Sequence, residues 1–495
     1  MSRSIDNIHH LPAPASIHDL VESGDLERDT DHDIYPSPGN PLGVADCLIQ
    51  DLFIEDGALT LRYWRGDFWQ YRHGSWRQLQ DELDIKEPLW ERLSEVGYTN
   101  DNDVKAWSPT PAKVSNLLEP LAIRTRLPGG TNPPTWLDGA HDPGEKTIVM
   151  RNGIFGLDTS TLYDHTPHHF STWSLPFDYD PKATCPRWHQ FLKEVFGHDP
   201  AAAKLLQEYF GYLISGAVNH QKALLVVGPS GAGKGVMSYV ANQLMGAGNT
   251  ATTTFHDLAS EFGLKGLIGK PLTVIEDARA DDMRRRNSAP VEKLLHIIAN
   301  DPVTINRKNQ DYWEGRLNTR MMIFTNEIPR LKDSSGAILR RFNMIRLTRK
   351  FAGGKTEDVN LKDTLHRELS GIFNWALDGL KRLTSTNTFT EAASAQEISD
   401  TMADMASPIT VFIDEQRFTV TEDPEDFVPL SRMHAAYRAW CEERNQAAGN
   451  QDTFCQALQA AYAGVFKKNT KPSEDVAKTR YIFGVKEDPT KQIFN

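Results

Sequence analysis

The stretch ALLVVGPSGAGKG, residues 223–235, decides the fold. An apolar run, Ala223 to Val227, leads straight into Gly228, Pro229, Ser230, Gly231, Ala232, Gly233, Lys234 and Gly235, and a helical pattern, VMSYVANQLMG, follows. A buried strand that turns through glycines into a helix is the setting in which a GxxxxGK pattern binds phosphate. The glycines let backbone N–H groups turn toward phosphate oxygens. The helix start adds positive potential. Lys234 supplies a point charge for the β- and γ-phosphates. These eight residues form the candidate ATP-binding loop. One position departs from the pattern: the Ser or Thr that usually follows the lysine and holds Mg²⁺ is Gly235, and Val236 has no hydroxyl. Mg²⁺ is then left to water, to acidic residues elsewhere or to another hydroxyl. Ser230 and Ser238 are near in sequence, but the sequence does not place them.

Working outward, two further apolar runs end in polar residues. PLTVIEDAR (271–279) reads as a buried strand closing on Glu276 and Asp277. One carboxylate there orients Mg²⁺ through water, for which Asp277 is the candidate, and the other polarises the attacking water. RMMIFTNE (320–327) is a third such strand, ending in Asn326, whose amide suits the γ-phosphate or the lytic water. An Asn after a strand is more often only a turn former; its place in this series gives it the sensor role. Arg340 and Arg341 follow in SSGAILRRFNMIRL. An arginine there can act on charge developing at a neighbouring subunit's phosphate. Between the second and third strands, the β-prone VTIN leads to Arg307 and Lys308. A hairpin tip carrying them suits contact with a DNA backbone.

Short buried strands alternating with helical patterns predict an α/β class with a parallel central sheet. The boundaries are drawn at 1–44, 45–195, 196–390 and 391–495. Residues 1–44 are rich in Asp, Ser, Pro and His and read as a flexible segment. Residues 45–195 are aromatic-rich and mixed; LTLRYWRGDFWQYRHGSW (59–76) has strand and turn character, which predicts an α+β domain. Residues 196–390 hold the motif-bearing strands. In 391–495, AQEISDTMADMASP (395–408) is polar and reads as a linker. Two helices follow, one with Met433, Tyr437 and Trp440, the other with Phe454, Leu458 and Tyr462. The basic segment KKNTKPSEDVAKTRYIFGV (467–485) reads as a hairpin, which together predicts a winged-helix-like domain.

The bulk numbers exclude several classes. The chain has 495 residues and a net charge of −12, so DNA is not drawn in by overall attraction and contact must be local. The four cysteines lack CxxC spacing, which argues against a zinc ribbon or a disulfide framework and for a cytoplasmic setting. No apolar run approaches membrane-spanning length, so no membrane partner is expected, and the N-terminus has no apolar signal region.

Taken together the motifs resemble the superfamily 3 helicases, in particular the phage and plasmid primase–helicase group related to the poxvirus primase–helicase. The stretches that carry the resemblance are NGIFGLDTSTLYDHTPHHF, LLQEYFGYLISG, ALLVVGPSGAGKG, KPLTVIEDAR, NDPVTINRKNQ, RMMIFTNEIPRLKDSSGAILRRF and ELSGIFNWALDGLKRL, spread over about residues 100–490. The resemblance implies an AAA+-like domain that forms a ring, a homo-hexamer, with ATP between subunits. It makes Lys234 the Walker A lysine, Glu276 and Asp277 the Walker B pair, Asn326 the sensor, Arg341 the finger and Lys308 part of a channel hairpin. The substrates implied are single-stranded and forked DNA. No zinc-ligand spacing or acidic triad of a primase precedes the motor, so the chain reads as the helicase half, used with a separate primase or initiator. Two rival readings use the same loop: an ATP-switched DNA-binding initiator or defence assembly without processive unwinding, and a nucleotide kinase.

Overall fold

The computed structural model describes residues 33–100, 103–260, 262–276, 289–307, 310–329, 337–351, 358, 360–406, 408–444, 446–470, 472 and 478–488. They form two compact units, one of residues up to Pro143 with Thr166–Thr172, the other of Gly144–His165 and everything from Trp173. No helix among the described residues is long and apolar enough to cross a membrane.

The N-terminal unit packs helices against small antiparallel sheets. Leu61–Trp64, Asp67–Arg72 and Ser75–Gln78 form a three-stranded meander. Its turns are Arg65–Gly66 and His73–Gly74, all four with positive φ, the geometry whose twist suits a two-residue hairpin. The helix Glu82–Glu95 starts in a capping box between Asp81 and Asp84. This satisfies N–H groups that the first turn leaves open. The core gathers Leu48, Phe53, Leu89, Leu93, Trp107 and Leu121.

The second unit is built on a parallel sheet of five strands: β1 (Ala223–Val227), β2 (Thr250–Thr253), β3 (Leu272–Ile275), β4 (Arg320–Thr325) and β5 (Phe342–Arg346). Their spatial order is β2-β3-β4-β1-β5. β1, β3 and β4 are buried along their whole length, as strands covered on both faces are. Because all five run the same way, the loops after β1, β3 and β4 leave from one edge. The helix Pro200–Ile214 packs tightly on the helix Leu369–Thr386. A Cβ on Gly211 would lie 2.5 Å from Leu380 N, and one on Gly379 would lie 2.2 Å from Gln207 O. At the amino end of β4, Arg320 is only 2% exposed. It donates to the carbonyls of Leu213 at 2.8 Å, Asn318 at 3.1 Å and Gly216 at 3.3 Å. It therefore caps the C-terminal end of the helix Pro200–Ile214. Burial lowers its pKa to about 10, which leaves it charged at neutral pH.

The C-terminal part of this unit has its own core, with Phe412, Met433, Tyr437, Trp440, Phe454, Leu458 and Ile482. Its elements run helix Pro408–Glu415, strands Phe418–Val420 and Phe427–Pro429, helices Leu430–Glu443 and Gln451–Ala461, then strands Phe466–Thr470, Thr479–Phe483 and Val485–Glu487. Thr479–Phe483 lies between Phe427–Pro429 and Phe466–Thr470, and Phe418–Val420 pairs with Val485–Glu487.

Several expectations change. Of the segment up to residue 44, residues 1–32 lie outside the described residues; in the rest Tyr35 is 5% exposed and donates to Asp51 at 2.7 Å, and the helix Pro41–Leu52 crosses the expected boundary. Of the large apolar residues described there, Tyr35 and Val44 enter the core, while Ile34 and Leu42 stay exposed. The stretch read as a linker is the helix Ala395–Ala406, in which Ile398 and Met402 are buried one turn apart. Two strands went unread. β2, TATT, is a Thr-rich edge strand without an apolar run. β5 follows the helix Ala337–Arg341 with no intervening loop, so its strand period is masked by the helical one.

Candidate functional site

The loop after β1 is shaped by two glycines. Gly233 has φ +98°, the left-handed region, and is followed at once by the helix Lys234–Met245. At Gly228 a Cβ would come within 2.7 Å of Leu347 Cβ and 2.8 Å of Leu347 O, so any larger residue would push the loop off the chain leaving β5. That chain is tied alongside: Leu347 N donates to Val227 O at 2.7 Å, and Phe351 N donates to Gly231 O at 2.8 Å. The loop is thus held between β1 and a helix N-terminus. This arrangement offers N–H groups to an anion.

Three of the expected residues lie at this edge, and two of them, Lys234 and Asn326, are in contact. Lys234 Nζ donates to Asn326 Oδ1 at 2.9 Å, and to the carbonyls of Gly228 at 2.5 Å and Pro229 at 2.8 Å. Asn326 follows the last residue of β4 and Glu276 follows the last residue of β3. Both lie on the exposed rim of the sheet. Glu276 Oε1 accepts from Ser238 Oγ at 2.5 Å. Asp277 lies outside the described residues.

Arg341 is elsewhere. It ends the helix before β5, and Phe342 pairs with Ala223, the first residue of β1. Arg341 is therefore at the amino edge of the sheet. The five residues of β1, at about 3.3 Å each, put roughly 16 Å between that edge and the loop. Arg341 Nη1 donates to Gln221 Oε1. Gln221 Nε2 in turn donates to Ala299 O at 2.9 Å. Lys222 Nζ donates to the Arg340 carbonyl at 2.6 Å.

Pro302–Arg307 and Gln310–Arg316 form an antiparallel hairpin, with a register shift between Ile305 and Arg307. Arg307 is the last paired residue before the tip; Lys308 lies outside the described residues. The next strand presents Tyr312, 67% exposed. The sequence reading missed Tyr312, whose only signal was an aromatic residue beside the basic pair. It also missed Gln221, which no motif marks. Among the described residues no cluster of His, Cys, Asp or Glu is arranged to hold a metal ion. A cleft of about 700 Å³ in the N-terminal unit, lined by Tyr63, Phe68, Ile85 and Arg126 among others, contains none of the expected site residues.

Three family models match the chain. A family of unknown function, DUF5906, covers residues 226–341, a span that runs from β1 through Arg341. A "D5 N terminal like" model covers residues 142–197, and a "Poxvirus D5 protein-like" model covers residues 408–488. Among curated proteins, the uncharacterized mitochondrial protein ymf21 of Marchantia polymorpha is 27% identical over 128 residues, 23% of this chain and 71% of that protein. Among solved structures, the apo A form of the NrS-1 C-terminal region is 13% identical with a TM-score of 0.48, covering 85% of this chain and 86% of that one. Another apo structure of the same region is 15% identical with a TM-score of 0.47, covering 86% and 87%.

Proposed function

From a chain that is a relative of the phage and poxvirus D5-like primase–helicases, and so of replication-related nucleic-acid enzymes, we infer an ATP-driven DNA helicase motor that works as a ring. The observation that carries this reading is the bond between Lys234 and Asn326, with Glu276 at the end of the adjacent strand, beside a glycine loop that opens a helix. The strand order, with the loop-bearing β1 between β4 and β5, is the AAA+ arrangement on this reading. Residues 196–390 are then the motor and 45–195 the domain before it. The C-terminal order of helix, two short strands, two helices and three strands supports a winged-helix-like domain.

ATP binds at residues 228–235, with its phosphates on the loop amides and on Lys234. The residues present fit such a ligand: the left-handed Gly233 sets the loop's turn into the helix, and the lysine ammonium already stands over the loop beside Asn326. Bound Mg²⁺ would supply charge neutralisation at the phosphates, held near Glu276 and Asp277. Glu276 accepts a proton from the attacking water while Asn326 orients it. Arg341 is about one strand length from its own loop, and on this reading it acts on the phosphates of a neighbouring copy rather than its own. That makes hydrolysis depend on assembly. Arg307, Lys308 and Tyr312 form the hairpin that grips single-stranded DNA, the cations on phosphates and the exposed ring against a base.

The test is ATP hydrolysis with and without single-stranded DNA, for wild type and Lys234→Ala. DNA-stimulated turnover that the variant lacks is expected. Wild-type turnover retained in Lys234→Ala would sink the motor reading. DNA-stimulated hydrolysis with no displacement of a strand from a forked duplex would favour the switch-like initiator instead.

A further inference from the structure

We propose that Ser238 is the positioning residue of the hydrolytic glutamate, standing in for the hydroxyl that Gly235 removes from the phosphate-binding loop. The proposal rests on the motor reading and deepens it.

Ser238 lies four residues after Lys234 in the same helix, so the two side chains leave one face, a turn apart. Ser238 is 1% exposed. A serine inside a helix normally points to water or bonds back to the carbonyl four residues earlier, and either choice weakens the helix slightly. Ser238 instead reaches across to the end of β3 and donates to Glu276 Oε1 at 2.5 Å. The direction of that bond is set from behind. Asn242, one further turn along, donates its Nδ2 to Ser238 Oγ at 3.5 Å, a long contact that occupies a lone pair and leaves the hydroxyl proton for the carboxylate. Asn242 Oδ1 is buried without a hydrogen-bond partner in the structure. Keeping an unmet acceptor there costs stability, and the amide orientation that feeds Ser238 offsets that cost.

The consequence for hydrolysis is geometric. In a loop with Ser or Thr after the lysine, one hydroxyl serves both the metal and the acidic strand end. Here Gly235 offers no side chain, and its Cβ position meets nothing within 4 Å. The hydroxyl three residues deeper is too far along the helix, by about 4.5 Å of rise, to take the metal's place as well. It does the second task alone: it commits Oε1 of Glu276 and fixes the rotamer, so that Oε2 faces the water to be activated. Binding of ATP does not depend on it, but turnover does.

The experiment uses the full chain with single-stranded DNA and compares wild type, Ser238→Ala, Ser238→Thr and Glu276→Gln. Steady-state kcat and KM for ATP are measured beside the affinity for a fluorescent ADP analogue and the thermal unfolding midpoint. Ser238→Ala is expected to lower kcat roughly 10- to 100-fold, the scale of a misplaced catalytic group, with KM and ADP-analogue affinity within about threefold of wild type. Ser238→Thr restores most of kcat. Adding Ser238→Ala to Glu276→Gln lowers neither kcat nor the melting midpoint by the full single-variant amount, because the two side chains act as one pair. Unchanged kcat in Ser238→Ala, or additive melting losses in the double variant, overturns the proposal while Lys234→Ala still reports on the motor. Loss of analogue binding in Ser238→Ala, or a Thr variant as slow as Ala, also overturns it, since either means the serine only supports the helix. A wild type that hydrolyses no ATP takes down the motor reading and this proposal together.

Discussion

At the carboxyl edge of the sheet, Lys234 is bonded to Asn326 and Ser238 to Glu276, each pair within a single chain. At the amino edge, Arg341 is bonded to Gln221, and Arg320 is buried among backbone carbonyls. Both edges are rich in polar groups, but those groups do different things. At the carboxyl edge Glu276 and Asn326 lie on an exposed rim, each bonded to a side chain of the helix that follows the glycine loop. At the amino edge, one arginine is spent on holding a helix and the other is tied to an amide that also holds the chain entering the hairpin. Gln221 bonds both Arg341 and Ala299, and Ala299 lies three residues before the hairpin strand Pro302–Arg307. On the proposed reading, the phosphate-sensing arginine and the DNA-gripping hairpin share one side chain.

The sharpest way to break this comparison is to separate the edges between copies. Arg341→Ala should lower DNA-stimulated ATP turnover on the order of 10³-fold, the lower range for an arginine acting on transferred phosphate, with nucleotide affinity little changed. Lys234→Ala should be inactive by itself. Mixed with Arg341→Ala, it should regain turnover, because one interface of the mixture then has both groups. If the mixture stays as slow as its parts, Arg341 does not work across an interface.

The buried arginine is the contrast. Arg320→Ala removes three hydrogen bonds, the one to the Leu213 carbonyl fully buried, and a loss of about 3 kcal/mol of stability is expected, read as a lower denaturant midpoint. Arg341→Ala, on the half-buried side of the same edge, should change that midpoint little. Equal losses in the two variants would erase the distinction between a structural and a functional arginine.

At the other edge, Asn326→Ala should lower turnover roughly tenfold to a hundredfold, as removal of one preorganised polar group does, while DNA binding measured without ATP stays near wild type. Weakened DNA binding in this variant would mean that Asn326 holds the fold of the edge rather than the reaction.

The smallest effect concerns Asp199, which caps the helix Pro200–Ile214, the helix whose far end Arg320 closes. Burial alone would raise the pKa of its carboxyl. Hydrogen bonds from the Ala202, Ser394 and Ala393 amides and the Ser394 hydroxyl outweigh that and hold it below the usual value. A carboxylate lowered in the folded state adds stability that is full above about pH 4, its unfolded value, and is lost as pH falls through the folded one. Asp199→Asn keeps a capping oxygen and should therefore cost less than about 1 kcal/mol at neutral pH, while flattening the acid side of the stability curve. An acid limb unchanged from wild type would show that Asp199 carries none of it.

The legible parts of the molecule are those whose meaning is local. The apolar runs of β1, β3 and β4 can be read because strands buried on both faces must be apolar throughout. Glu276 and Asn326 are found by standing at the ends of those runs. The edge strand β2 and the helix-fused β5 were not legible, since neither carries a run of its own. The helix at 395–406 was hidden for a related reason: its buried face is only Ile398 and Met402 in an otherwise polar stretch.

By itself the sequence determined the glycine loop with its lysine, the polar residues that close the buried strands, and the parallel α/β class. Each of these follows from the backbone freedom of glycine or from the periodicity of burial, which are properties of neighbours along the chain. Only the tertiary structure decided that Ser238 meets Glu276, that Gln221 joins Arg341 to the base of the hairpin, that Arg320 is spent on a helix end, and that Arg341 stands at the edge away from its own loop. Those are contacts between residues 38 to 120 positions apart. Strand order and register create them, and no short-range pattern encodes either one.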